Sequence, residues 1–251
     1  MADKAVSEVF APGALAGRVA LVTGGGTGLG KATALELVRC GARVLLAGRR
    51  EEVLEEATEE IAAQTGAVPS MGPAGQGGPD TTARADVTWR AGDVRDPGQA
   101  RTLVGLAVES FGGLDILVNN AGGQYFTPAE GIVGKGWRAV WRLNVEGMLN
   151  MCRAAVEAGL GERGARESGS SSASSASSGP RESSPSGARE GWIVNVTLSP
   201  HHGMPGMAHS GAARATVEAL TRELAERWAG DGVMVAAVAA GVFETEVLAK
   251  Y

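Results

Sequence analysis

Apolar residues in this chain fall into two alternating patterns. Short continuous runs at Arg18–Thr23, Arg43–Ala47, Leu114–Asn119, Trp192–Thr197 and Val233–Ala239, with a poorer one at Val87–Ala91, have the length and composition of strands buried on both faces. Segments with helical spacing lie between them. Leu29–Cys40 places Leu29, Ala32, Leu35 and Val38 on one side and stops at Gly41, a residue suited to a helix C-terminus. Glu51–Gln64 is charged and amphipathic, and Pro97–Phe111 carries Leu103, Leu106 and Ala107 on one side. Gly136–Glu157 and Ser210–Trp228 read as longer helices. Alternation of this kind predicts an α/β domain: a doubly wound parallel sheet with helices on both faces and right-handed crossovers.

Two segments break the pattern. Gly66–Arg84 is rich in glycine and proline, and Gly161–Glu190 contains a long serine-rich tract. The second has too little apolar surface to offset the entropy of ordering and is expected to be disordered. Both read as insertions, at about 66–84 and 161–190, in a single domain spanning 14–251, with 1–13 as an N-terminal extension.

Composition removes several function classes. A length of 251 residues suits one large domain, and a net charge of −5 argues against a nucleic-acid surface. Cys40 and Cys152 cannot form a disulfide framework and read as small buried hydrophobes. His201, His202 and His209 lack a carboxylate at metal-ligand spacing, so no metal site is expected. No apolar run reaches the roughly 18 residues of a membrane span, and no secretory signal is evident, so a soluble intracellular protein is expected. The chain holds 2 tyrosines, Tyr125 and Tyr251.

The strongest motif is Thr23-Gly24-Gly25-Gly26-Thr27-Gly28-Leu29-Gly30, which follows a strand and opens a helix. Gly24 permits a tight turn, Gly28 lets the backbone approach a pyrophosphate, and Gly30 allows close helix–strand packing. The helix N-terminus then offers N–H groups and a positive dipole end to phosphates. This spacing resembles the short-chain dehydrogenase/reductase family. So do Asp93-Val94, similar to the pair at the adenine ring, and Asn119-Asn120-Ala121-Gly122, similar to the segment beside the cofactor. Asn144 in Leu-Asn-Val-Glu-Gly resembles the family's helix asparagine, which holds a water or helps polarise the substrate. The resemblance covers nearly all of residues 14–245. It implies a Rossmann-type sheet and a nicotinamide cofactor held by Gly24, Gly26, Thr27, Gly28, Leu29, Gly30, Asp93, Val94, Asn120, Ala121 and Gly122. The end of the second strand reads Ala47-Gly48-Arg49-Arg50, without the acid that binds a ribose 2′-hydroxyl. Arg49 and Arg50 suit a 2′-phosphate, which favours NADPH.

Family members normally place Tyr-x-x-x-Lys at the start of the helix after the fifth strand. Alignment on Val217-Glu218-Ala219-Leu220-Thr221 puts Ser210 in the tyrosine slot and Arg214 in the lysine slot. The family's serine position falls on Leu198, with Ser199 adjacent. The stretches 119–137 and 209–221 resemble the family's peroxisomal trans-2-enoyl-CoA reductases, with 2,4-dienoyl-CoA reductases a close type. The resemblance implies NADPH-dependent reduction of the α,β double bond of a fatty acyl-CoA, a peroxisomal (alternatively cytoplasmic) setting in fatty-acid metabolism, and a homo-oligomer. Reducing a conjugated thioester needs stabilisation of an enolate, and Asn144, Ser210 and Arg214 are the candidate catalytic residues, Arg214 also serving the nicotinamide ribose. Glu218, where this branch carries a tyrosine, lies at i+4 from Arg214 and could pair with it. Tyr125 is either an alternative proton donor or an aromatic lining of the cleft. The chain ends soon after the sixth strand, so the C-terminal part of the fold is expected to be truncated, and its last residues are not a peroxisomal address. The missing Tyr/Lys pair and early end leave an alternative reading, a catalytically impaired or inactive dinucleotide-binding protein.

Overall fold

The structure, a computed structural model, describes residues 6–73, 86–161, 190–198 and 206–241, without the side chains of 70–73. Seven strands form one parallel sheet: β1 (Val19–Thr23), β2 (Arg43–Gly48), β3 (Pro69–Pro73), β4 (Val87–Ala91), β5 (Ile116–Asn119), β6 (Gly191–Leu198) and β7 (Val233–Ala240), in the order β3-β4-β2-β1-β5-β6-β7. The helices are α1 (Gly28–Arg39), α2 (Glu51–Thr65), α3 (Pro97–Phe111), α4 (Gly134–Trp141), α5 (Gly147–Glu157) and α6 (Ala208–Trp228).

Successive residues of a strand point to opposite faces, and the core divides accordingly. Ala20, Val22, Val44, Leu46, Ile116 and Val118 pack against α1 and α2 through Ala34, Val38, Leu54 and Ile61. Val19, Leu21, Leu45 and Leu117 pack on the other face against α3, α5 and α6, through Leu103, Phe111, Met151, Val217 and Trp228. Covering both faces explains why β1 is buried at all five positions and why its sequence is continuously apolar. β7 differs. It is an edge strand, and Met234 and Val238 on it are exposed.

Local chemistry sets the helix boundaries. Asp96 caps α3 by accepting from the N–H groups of Gly98 (2.7 Å) and Gln99 (3.0 Å), Pro97 occupies the first helical position, and Gly112 ends the helix at φ 80°. Asp115 anchors the start of β5. Only 1% exposed, it accepts from the Val19 N–H at 2.8 Å and from Arg18 Nη1 at 3.1 Å. Arg18 also lies 4.9 Å over the Trp192 ring, which ties β1, β5 and β6 at the end of the sheet away from the glycine loop.

The six strands read from the sequence are present, and two expectations are corrected. The segment 66–84 is not wholly an interruption, because Pro69–Pro73 is an edge strand parallel to β4. An edge position tolerates proline because one side of the strand needs no donor. The helix expected over Gly136–Glu157 begins at Gly134 and is interrupted by a π-type turn over Arg142–Glu146. Residues 74–84 of the first insertion and 162–189 of the second lie outside the described residues, as do Ser199, His201, His202 and Tyr251. Cys40 and Cys152 are both buried as free thiols, and burial pushes the Cys152 thiol up to about 12. Among the described residues no helix is long and apolar enough to cross a membrane, and no cluster could hold a metal ion.

Replacing Asp115 with Ala leaves the buried Val19 N–H without an acceptor and is expected to cost about 2–3 kcal/mol. A urea unfolding midpoint for Asp115→Ala that matches the parent chain would contradict this.

Candidate active site

The site lies where the C-terminal ends of β1, β2, β4 and β5 meet the first turn of α1. β1 stops at Thr23, and Gly24 turns the chain at φ 65°. α1 then starts at Gly28 and comes unusually close to the strand tip. A Cβ on Gly30 would lie 2.2 Å from the Gly24 carbonyl oxygen and 2.4 Å from Asn120 Nδ2, so only glycine fits there. Asn120 fixes the approach from the other side by donating from Nδ2 to the carbonyls of Thr23 (3.1 Å) and Gly24 (3.2 Å). Thr23 Oγ1 accepts from the N–H groups of Asn120 and Ala121, both at 3.0 Å, and donates to the Val118 carbonyl. The glycine loop and the Asn119–Gly122 segment are thus locked to each other.

Between them opens a cleft of about 400 Å³. Gly24, Gly26, Thr27, Gly28 and Leu29 line one wall. Arg49 and Arg50, Asp93 and Val94, and Asn120, Ala121 and Gly122 complete it. Twelve of the expected cofactor residues therefore share one cleft. Gly30 does not line it and acts through packing. Val53, Leu54 and Leu143 line it as well and were not anticipated, because nothing in their local pattern separates a cleft wall from a core position. Arg49 and Arg50 are exposed and, among the described residues, have no carboxylate within ion-pair distance.

At its inner end the cleft is lined by Gly122 and by Leu143 of the π-type turn, and α6 lies behind Gly122, so Arg214 and Ser210 do not line the cleft themselves. Arg214 is 8% exposed, donates from Nη1 to the Val196 carbonyl at 2.8 Å and lies against Gly122, where a Cβ would stand 2.3 Å from Nη2. Among the described residues its Nε has no partner and no carboxylate neutralises it, and burial pushes the guanidinium down to about 10. The expected pairing with Glu218 is not formed. Glu218 instead lines a separate cavity with Arg222, Thr221 and Val235, toward β7. Four residues advance a helix by slightly more than one turn, so by 218 the face has drifted from the cleft toward the edge strand. Ser210 is fully buried and its Oγ has no partner.

Asn144 sits in the π-type turn, buried, with both amide hydrogens committed: Nδ2 donates to the carbonyls of Gly123 (2.9 Å) and Val140 (2.7 Å). Its Oδ1 accepts from the Gly123 N–H at 3.3 Å. In this arrangement Asn144 braces the loop after β5. Tyr125, on the same loop, meets His209 of α6 with ring centroids 4.4 Å apart, and the phenol oxygen and both imidazole nitrogens are buried without partners. The contact of His209 with Tyr125 is long-range and leaves no local signal in the sequence. Behind this layer a polar chain crosses the core. Asn119 Nδ2 donates to Asn195 Oδ1 (2.9 Å), and Asn195 Nδ2 donates to Thr221 Oγ1 (2.9 Å), which joins β5, β6 and α6.

A glycine turn, a helix N-terminus and two guanidinium groups in one cleft are the parts of a dinucleotide site. Comparison with known proteins agrees. A family model described as short chain dehydrogenase matches residues 18–71 and 79–170. The chain belongs to the short-chain dehydrogenase/reductase family. A second model of this kind, described as enoyl-(acyl carrier protein) reductase, matches residues 162–251. The peroxisomal 2,4-dienoyl-CoA reductase of Arabidopsis thaliana is 33% identical over 88% of this chain. The chain spans 62% of that relative's length. The probable 2,4-dienoyl-CoA reductase of Bacillus subtilis is 29% identical over 90% of this chain and 73% of its own. Among solved structures, a citronellol catabolism dehydrogenase of Pseudomonas aeruginosa is 33% identical with a TM-score of 0.71, covering 93% of this chain and 77% of that one. An actinorhodin polyketide ketoreductase variant with NADPH is 27% identical, with the same TM-score of 0.71, over 93% of this chain and 73% of its own. Family membership accounts for the sheet order and for the placement of the glycine turn.

Burial holds the His209 imidazole below its ordinary value of 6.5. The unfolded chain therefore takes up a proton that the folded short-chain dehydrogenase/reductase domain resists. Stability is fullest above about pH 6.5 and declines as the pH falls below it. A His209→Phe variant is expected to lose part of that decline between pH 7 and 5, read from unfolding midpoints measured in parallel. An unchanged pH slope would show that His209 does not contribute.

Proposed function

We propose that this protein is an NADPH-dependent reductase of α,β-unsaturated fatty acyl-CoA thioesters, with trans-2-enoyl-CoA as substrate. One observation carries the reading. Arg214 places a buried, unneutralised cation against Gly122 at the inner end of the dinucleotide cleft, in the slot where the family normally has lysine.

The residues present fit the cofactor. The glycine turn leaves backbone facing the cleft where a pyrophosphate would lie, and the first turn of α1 contributes its N–H groups. Arg49 and Arg50 stand at the end of β2 without carboxylate partners among the described residues and would take a 2′-phosphate. Asp93 and Val94 would flank the adenine, and Asn120, Ala121 and Gly122 the nicotinamide side. When bound, NADPH supplies a hydride for the β-carbon of the conjugated double bond. The electron pair of that bond then moves toward the thioester oxygen, and protonation at the α-carbon completes the reduction. Arg214 offsets the negative charge on that oxygen or holds the ribose, in a setting where burial strengthens its field. The Ser210 hydroxyl, buried and without a partner, is available to donate to the same oxygen. Asn144 keeps Gly123, and with it the loop, in place.

A second reading, reduction of 2,4-dienoyl-CoA, is supported by the names of the Arabidopsis and Bacillus relatives. The peroxisomal names among the relatives support a peroxisomal setting.

The test is NADPH oxidation with trans-2-enoyl-CoA, 2,4-dienoyl-CoA and simple ketones. Turnover of enoyl thioesters, with kcat reduced about a hundredfold in Arg214→Met, is the expected result. Preference for dienoyl thioesters selects the second reading. Stoichiometric NADPH binding without turnover of any thioester would instead identify an inactive dinucleotide-binding protein.

A further inference from the structure

Asp93 and Arg95 form a tight pair at the adenine end of the cleft. Arg95 Nε donates to both carboxylate oxygens of Asp93, each at 2.9 Å, and Arg95 Nη2 bonds Oδ2 as well. The Arg95 backbone N–H donates to Oδ1 at 3.0 Å. The carboxylate is therefore held by three groups of one residue two positions along the chain. Further bonds fix the loop around it: the Asp93 N–H donates to Gln99 Oε1 at 2.8 Å, and the Asp96 N–H donates to the Asp93 carbonyl at 3.0 Å.

Asp93 lines the same cleft as Arg49 and Arg50, which among the described residues have no carboxylate within ion-pair distance. An unpaired carboxylate there would do two things. It would draw a neighbouring guanidinium toward itself, and it would repel an entering phosphate. Resting on the NADPH reading above, we propose that Arg95 is a specificity-determining residue: by pinning and neutralising Asp93 it leaves Arg49 open to the cofactor's 2′-phosphate. Arg95 is thus a positioning residue that acts through Asp93 and Arg49. The hydrogen bonds from Arg95 hold the Asp93 carboxyl below the usual carboxylate range, and the charge of Arg49, on the same cleft, lowers it further.

The effect should fall on NADPH and spare NADH, because only the former carries the 2′-phosphate. The experiment measures binding of NADPH and NADH to the full chain by cofactor fluorescence, with no substrate present. Arg95→Ala is expected to weaken NADPH about tenfold while changing NADH less than twofold, and the difference should shrink at high salt. Adding Asp93→Asn to Arg95→Ala removes the freed carboxylate and should restore most of the NADPH/NADH ratio, which a merely structural role for the pair would not do. Equal weakening of both cofactors, or no restoration in the double variant, overturns the assignment. A parent chain that binds NADH more tightly than NADPH overturns the cofactor reading itself, and that outcome is visible before any variant is made.

Discussion

The backbone of α1 runs against the tip of β1 at a distance that no side chain would permit, and the site is arranged around that contact. Gly30 stands where a Cβ would strike the Gly24 carbonyl, and the Asn120 amide fills the remaining space by bonding both Thr23 and Gly24. The approach aims the first turn of α1 into the cleft. It also transmits position: Asn120 begins the segment that leads to Gly122, and Gly122 is the surface on which Arg214 rests. A chain of close glycine contacts therefore connects the glycine-turn end of the cleft to its inner end. Shifting α1 outward by the width of a methyl group would loosen both.

Charge is distributed along this cleft in an uneven way. At one end Arg49 and Arg50 face solvent, so their fields are screened. At the other, Arg214 is enclosed, hydrogen-bonded only to a main-chain oxygen among its described contacts, and unneutralised. An isolated buried cation is costly, and such groups persist where an anion or a developing negative charge meets them. The two ends suit different tasks: the outer pair can sort cofactors by charge, and the inner one can act on electrons in motion.

Much of the fold was legible because sheet strands covered on both faces must be continuously apolar, as Val19–Thr23 and Arg43–Gly48 are. β3 was not, because Pro69, Gly72 and Pro73 are poor strand formers and an edge position relaxes the rule. The wall of the cleft was legible because its parts are local: a glycine turn, a strand end, an Asp-Val pair. The inner end was legible only as a set of slots. That the Ser210 hydroxyl and Arg214 Nε are buried without partners, that Glu218 turns away toward β7, and that His209 meets Tyr125 all depend on contacts between segments far apart in sequence. Asp93-Val94-Arg95 held a local signal that went unread, since a carboxylate two residues before a guanidinium can close a ring through side chain and main chain together.

The turn at Arg142–Glu146 has a further consequence for how α4 and α5 face the core. A π-type turn adds a residue to one turn of helix, and each residue in a regular helix rotates its successors by about 100°. Val140 on α4, Asn144 within the turn, and Met148, Met151 and Cys152 on α5 are buried at spacings of three and four, so one inward-facing stripe runs through the turn. The turn places a polar amide in an otherwise apolar stripe, and that amide finds its partners in the Val140 and Gly123 carbonyls. The irregularity thus carries a bracing group into the core without interrupting the face that packs there.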